Sequence, residues 1–271
     1  MTFTLGPALL FCPADRPERY GKAAERADAV ILDLEDAVAP EHKAAAREAL
    51  VRQPLDPATT IVRVNPQGTD DFDLDLTALK QTGYRTVMLA KATSVEALAD
   101  YDVIALCETA AGVLAAPVLA AQSNVVALMW GAEDLVASLG GTASRFHDGH
   151  YRAVALHARS AVLIAAGANG KAAIDTVHLD IADTAGLGAE ARDAAASGFA
   201  ATACIHPDQV ATIREAYAPS AEQVEYAKAV LAAAGDERGV FAFRGVMVDE
   251  PVLALARRAV ARYTHAREGE K

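Results

Sequence analysis

Residues 29–38 read AVILDLEDAV, an apolar β-type run, Ala29-Val30-Ile31-Leu32, that passes straight into Asp33, Glu35 and Asp36. Acids set behind a buried strand cost free energy unless a positive partner sits among them, so the stretch asks for a cation at a strand end. The same form recurs along the chain. Strand-like runs fall at 8–12, 29–34, 60–65, 86–91, 102–108, 125–130, 173–179 and 201–206, with Ala-rich segments of helical spacing between them, such as 41–52, 109–121 and 151–166. Strands alternating with helices predict a parallel sheet. Eight such units in 271 residues predict a closed (β/α)8 TIM barrel, for which about 250 residues is typical, over an open doubly wound sheet. No GxGxxG follows the first run, which lowers the dinucleotide-binding alternative.

Composition agrees with one large core. Hydrophobic residues make up 52% and charged residues 23%, the balance of a soluble globular protein rather than a disordered chain. A net charge of −11 argues against nucleic acid or an anionic membrane as partner. No stretch reaches the roughly 20 apolar residues of a membrane span, and MTFTLGPALLFCPAD lacks the basic start of a signal peptide. Cys12, Cys107 and Cys204 each lie in an apolar run without CxxC spacing, so reduced buried thiols and a cytoplasmic location are expected. The barrel pattern occupies residues 1–219. Residues 220–271 read as a C-terminal helical extension: Ser220 as N-cap of a helix to about Ala234, the loop 235–239, the segment VFAFRGVMVDEP (240–251), and a last helix from about Pro251 to Ala266. So short a tail is not expected to bury a core of its own and is read as packed on the barrel or on a neighbouring subunit.

Polar residues fall at the strand ends: Asp33, Glu35 and Asp36, then Arg63 and Asn65, Lys91, Glu108, Glu133 and Asp134, Asp180 and His206. In a parallel barrel all C-terminal strand ends share one mouth, so these residues converge although scattered in sequence. Without HExxH or a Cys/His cluster, an oxygen-only site suits Mg2+ or Mn2+ rather than zinc. Glu108 in ALCETAAG and Asp134 in MWGAEDL could hold one metal from adjacent strands. Equally, Glu108 could cap the following helix and Glu133-Asp134 could sit at a helix N-terminus. Arg63, inside the β-branched TTIVRVN, needs a negative partner, either the acids or a substrate carboxylate clamped in bidentate fashion. Lys91 has the same two readings and a third, a Schiff-base amine, which a metal site makes unnecessary. His206, followed by Pro207, a favoured first residue of a helix, is read as bonding local backbone, and His42, His147, His150, His157 and His265 as surface residues.

Seven segments in order, LFCPADRPERYGKA, VILDLEDAV, IVRVN, LCETAAGV, MWGAEDLVASLGG, CIHPDQV and GVMVDEPV, resemble the HpcH/HpaI aldolase/citrate lyase family. The likeness runs from about Leu9 to Ala256 and is greatest to its stand-alone citrate-lyase-β-like branch, relatives of malyl-CoA and citramalyl-CoA lyases. The resemblance implies a homotrimer of (β/α)8 barrels that uses Mg2+, with Mn2+ as substitute, to break or form a carbon–carbon bond. The substrate it implies is a short 3-hydroxyacyl-CoA thioester, giving acetyl-CoA or a homologue and a 2-oxo acid. Carried over by position, Glu108 and Asp134 would be the metal ligands, with Glu35 and Asp36 holding metal-bound waters. Arg63, with Gly131, Ala132 and Glu133, would bind the 2-oxo acid, and Arg16 and Lys22 would meet the CoA phosphates. Asp249 would reach a neighbouring subunit's mouth as acid/base, with Glu35 in reserve. The chain has Ala90-Lys91 where many members have Pro-Lys, and Ala111 where a basic residue is usual, differences that bear on CoA contacts and substrate choice. Alternatives are a metal-dependent aldolase on free 2-oxo acids and a citrate lyase β subunit acting on an acyl-carrier-protein thioester.

Overall fold

The computed structural model describes residues 3–235 and 239–268, and the chain divides into two compact units, Met1–Arg214 and Glu215–Lys271. The first is a barrel. Its strands are β1 (Ala8–Pro13), β2 (Ala29–Asp33), β3 (Thr60–Val64), β4 (Thr86–Leu89), β5 (Asp102–Cys107), β6 (Val125–Trp130), β7 (Ala172–Asp175) and β8 (Ala201–Cys204). They pair in chain order and close through β1 against β8, with Leu9 opposite Ala203.

Every strand contributes to one buried cluster: Leu9, Ile31, Ile61, Met88, Ile104 and Leu106, Met129, Ile174 and Ala203. A cluster drawn from all eight strands is the barrel interior. Strand side chains alternate between faces, so the residue two places beyond each of these also faces inward, nearer the mouth. That parity places Asp33 after Ile31, Arg63 after Ile61, Glu108 after Leu106 and Gly131 after Met129. The interior is apolar below and charged at its rim.

The outer ring holds α1 (Tyr20–Arg26), α2 (Lys43–Arg52), α3 (Asp70–Leu79), α4 (Ala110–Ala120), α5 (Ala132–Ser138), α6 (Ala153–Ala168), α7 (Thr184–Ser197) and α8 (Gln209–Tyr217). Between β4 and β5 there is only a single 3-10 turn, Glu96–Leu98. Side-chain caps set several helix starts: Thr69 accepts from Phe72 N–H at 3.2 Å, Thr109 from Gly112 N–H at 3.0 Å and Asp183 from Gly186 N–H at 2.8 Å. The expected strands at 86–91, 173–179 and 201–206 are shorter than predicted, because their last residues leave the ladder for the loops at the mouth. Pro207 lies in the turn before α8 rather than at its first helical position. The three cysteines are free and buried, and no described helix is long and apolar enough to cross a membrane.

The second unit contains α9 (Ala221–Ala233), the antiparallel pair β9 (Phe241–Phe243) and β10 (Val246–Val248), and α10 (Glu250–Glu268). Ser220 forms a complete capping box with Gln223 at the start of α9. Arg244 and Gly245, at φ 49° and 80°, make the two-residue turn that hairpins favour. Contrary to the expectation from its length, the unit has a small apolar cluster of its own, Ala227, Val230, Val248 and Ala256, with Tyr226, Phe241 and Phe243 against it. Residues 236–238 of the expected loop lie outside the described residues.

Candidate active site

Asp33 and Arg63 are partners across β2 and β3. Arg63 donates through Nε to Asp33 Oδ1 at 2.6 Å and through Nη2 to Oδ2, the planar fork that guanidinium makes with carboxylate. Asp33 also accepts the backbone N–H of Glu35 at 2.9 Å and of Ala37 at 3.0 Å, which shapes the loop carrying Glu35 and Asp36. The remaining guanidinium edge, Nη1, is 3.2 Å from Glu35 Oε2, and the group lies 4.8 Å over the Phe11 ring. Burial pulls the guanidinium pKa down, but the charges of Asp33 and Glu35 more than reverse it. Of the two readings of Arg63, neutralising the acids is therefore satisfied within the chain, by Asp33 on one edge and Glu35 on the other.

Glu108 is 3% exposed. It is not the cap of α4, since Thr109 holds that position, so the helix-cap alternative falls. Its Oε1 accepts the backbone N–H of Lys91 at 3.0 Å. A Cβ at Gly131 would stand 2.8 Å from Glu108 Cβ and 3.0 Å from its Oε2, so glycine is what lets the end of β6 close against this carboxylate. Asp134 lies in the first turn of α5, with Oδ1 3.5 Å from Lys91 Nζ. The neighbouring Glu133 points elsewhere, accepting from Ser144 Oγ at 2.6 Å, so any substrate role for Gly131, Ala132 and Glu133 falls to backbone N–H groups. Lys91 Nζ also pairs with Glu35, and with Asp36 at 3.3 Å. Burial first, and then the charges of Asp134 and Glu35, push the Glu108 carboxyl up to about 8. Burial likewise raises Glu35, against the pull of Arg63 and Lys91.

Burial is the main cause of that rise, and Asp134 and Glu35 add to it against the pull of Arg63 and Lys91, so a cation between Glu108 and Asp134 would favour the ionised form. Among the described residues no group of three His, Cys, Asp or Glu is arranged to cage an ion. Two carboxylates with acids behind them are nonetheless what Mg2+ uses, because it keeps several positions for water and substrate oxygens. The oxygen-only donor set of Glu108 and Asp134, backed by Glu35 and Asp36, fits Mg2+ or Mn2+ and does not suit zinc.

The remaining expected residues are distributed differently. Arg16 and Lys22 are exposed in the segment after β1, Arg16 at 3.8 Å from Asp15. Asp180 caps a local turn through the N–H of Ala182, and His206 Nδ1 accepts from Asp208 N–H at 3.3 Å, so the ends of β7 and β8 serve their own turns. The surroundings of Lys91 do not favour the Schiff-base reading: burial favours a neutral amine, but the bond to Glu35 and the surrounding acids outweigh it. Asp249 belongs to the second unit, where its Oδ1 accepts Val252 N–H at 3.2 Å and begins α10. Sequence reasoning missed Asp75 of α3, which accepts Asn65 N–H at 2.9 Å and Nδ2 at 2.7 Å, while Asn65 Nδ2 also donates to Leu34 O at 2.9 Å. It also missed His178, bonded to Glu190 at 3.0 Å beside a cavity of about 710 Å3 that Arg145, Tyr151 and Glu133 help to line.

Residues 8–207 match the family model HpcH/HpaI aldolase/citrate lyase. A citrate lyase subunit beta-like protein of Mycobacterium tuberculosis is 59% identical over 254 residues, covering 93% of each chain. The human mitochondrial citramalyl-CoA lyase is 30% identical over 298 residues, covering 96% of this chain and 86% of that protein. Among solved structures, a Mycobacterium tuberculosis protein in complex with magnesium, acetoacetate and coenzyme A superposes with a TM-score of 0.92 at 57% identity, over 96% of this chain and 99% of that one.

Proposed function

The chain belongs to the HpcH/HpaI aldolase/citrate lyase family of carbon–carbon lyases, and on that premise we propose that it is a Mg2+-dependent lyase or synthase of a short 3-hydroxyacyl-CoA. Citramalyl-CoA and malyl-CoA are the substrates of this class, giving acetyl-CoA or a homologue and a 2-oxo acid. The observation that carries the reading is that Glu108 and Asp134 both meet Lys91 at the barrel mouth, near the Arg63 guanidinium, whose Nη1 faces Glu35 at 3.2 Å. The relative solved with magnesium, acetoacetate and coenzyme A supports the same ligand classes.

Magnesium bound by Glu108 and Asp134 would supply Lewis acidity, lowering the pKa of the substrate hydroxyl and stabilising negative charge on that oxygen. Glu35 and Asp36, behind the ligands, would accept hydrogen bonds from water at the site and so orient it. Arg63 would present Nη1 to the carboxylate of the 2-oxo acid half, with Asp33 fixing the opposite edge so that the group is aimed before substrate arrives. The first N–H groups of α5, at Ala132 and Glu133, have no partner within the helix and can bond a substrate oxygen. Arg16 and Lys22 would meet the CoA phosphates. In cleavage the hydroxyl proton passes to a carboxylate at the mouth as the C=O of the 2-oxo acid forms, the bond between the hydroxyl carbon and the α-carbon of the thioester breaks, its electron pair is held as the thioester enolate, and the α-carbon takes a proton. Asp249 of a neighbouring copy is the acid for this proton and the base in the reverse direction, with Glu35 in reserve. Exposed apolar residues of the second unit, Val246 and Met247 with Met247 at 64%, support packing against another copy, and the homotrimer is part of the proposal.

The test is a screen of purified protein against citramalyl-CoA, malyl-CoA and their homologues, following 2-oxo acid release with Mg2+ and with EDTA. Release that requires the metal is expected. Full activity in EDTA, or release only from an acyl-carrier-protein thioester or from a free acid, would refute the reading.

A further inference from the structure

Lys91 stands two residues past the end of β4, and its side chain does not follow that strand's alternation. From Met88 on the inner face, alternation carries Ala90 inward and Lys91 outward, yet the Lys91 ammonium lies among the acids of the mouth. Its φ of 51° produces the turn. That left-handed conformation is costly for a residue with a side chain and free for glycine. The flanking peptides hold it in place. Ala90 N–H donates to Val64 O of β3 at 3.3 Å and Ala92 N–H to Leu106 O of β5 at 3.0 Å, and both alanines are buried. Strain fixed from both sides by neighbouring strands is a reason to look for a role.

The result is one residue with two holds on one site. Its N–H bonds Glu108 at 3.0 Å, while Nζ pairs with Glu35 and lies 3.3 Å from Asp36 and 3.5 Å from Asp134. Lys91 therefore touches all four carboxylates of the proposed metal site. Arg63, the other cation, pairs with Asp33 and Glu35.

We propose that Lys91 is a positioning residue and the built-in counter-ion of this acid cluster: its N–H aims Glu108, and its ammonium competes with the divalent cation for Asp134 and the outer acids. The inference rests on the metal-site reading above. The cluster is partly neutralised by the chain itself, so it folds without help from a metal. A dication must then bind against a fixed positive charge, which holds its affinity below what four carboxylates alone would give.

Three variants separate charge from backbone. Lys91→Met keeps the stem and drops the charge, Lys91→Arg keeps the charge, and Lys91→Gly drops the charge while relieving the left-handed φ, which covers the case that Lys91→Met misfolds. Calorimetric titration with MgCl2 and thermal melting in EDTA are the readouts. Lys91→Met and Lys91→Gly are expected to bind Mg2+ about tenfold more tightly than the parent, and Lys91→Arg within about threefold of it. Lys91→Met should also melt lower in EDTA. A parent that binds Mg2+ together with neutral variants that bind equally or more weakly overturns the inference alone. If the parent and all variants bind no Mg2+, the metal-site reading falls and takes the inference with it.

Discussion

Asp33 is the residue on which the geometry of the mouth turns, and Asp33→Ala is the sharpest perturbation of it. The side chain is fully buried, takes both bonds of the Arg63 fork and also accepts the N–H groups of Glu35 and Ala37. Its removal leaves a guanidinium whose side chain is only 11% exposed without its main partner. Breaking a buried pair from one side costs about 3–5 kcal/mol. Two backbone donors lose their acceptor as well, at about 1–3 kcal/mol each where water does not replace it. Arg63 recovers part of this by turning further onto Glu35, already 3.2 Å away, so a net loss of about 3–5 kcal/mol is expected. In urea this reads as a midpoint lowered by about 1 M or more with an unchanged slope. Asp33→Asn, whose single amide oxygen can accept only one of the two N–H groups because they bond different oxygens of Asp33, should fall between the parent and alanine. Because Arg63 is no longer aimed, the KM of the surviving protein for the 2-oxo acid in the condensation direction should rise more than kcat falls. A loss below about 1 kcal/mol for Asp33→Ala, or an unchanged KM, would refute the claim that Asp33 is what holds Arg63.

Three further predictions concern Glu108 and its surroundings. With its carboxyl at about 8, most Glu108 is protonated at pH 7 without metal. Mg2+ binding there should release protons, measured by titration calorimetry in buffers of different ionisation enthalpy, and identical heats across buffers would contradict this. The same raised value means that the folded state binds the extra proton between the ordinary 4.5 and about 8. Stability of the EDTA-treated protein should therefore fall as pH rises through that window, with the melting temperature as readout. Gly131→Ala puts a Cβ 2.8 Å from Glu108 Cβ and should weaken Mg2+ binding at least about tenfold while leaving the far-UV spectrum of the barrel intact.

Much of this was legible in the chain because it follows from parity and periodicity. Eight apolar runs alternating with helical spacing fix the barrel. The two-residue repeat that buries Ile31, Ile61 and Leu106 also points Asp33, Arg63 and Glu108 into the mouth. What was not legible depends on angles and on pairs distant in sequence. Glu133 and Asp134 are adjacent, and only the start of α5 decides that Asp134 faces Lys91 while Glu133 faces Ser144. The left-handed turn at Lys91 has no mark in the sequence, since the residue there is not glycine. Asp75 reads as one polar residue in the acidic first half of α3, and its bond to Asn65 arises only once α3 packs beside β3. Asp180 and His206 show the converse: a polar residue after a strand joins the common site only if its own turn does not take it first.

The central claim is that Glu108 and Asp134 together hold the metal on which carbon–carbon bond chemistry depends. Anomalous diffraction from crystals soaked in MnCl2 tests it directly. The account predicts one strong peak at the barrel mouth with a Glu108 and an Asp134 carboxylate oxygen at about 2.0–2.3 Å, lost in Glu108→Gln together with cleavage activity. A peak bound elsewhere, or one that persists in Glu108→Gln, would contradict it.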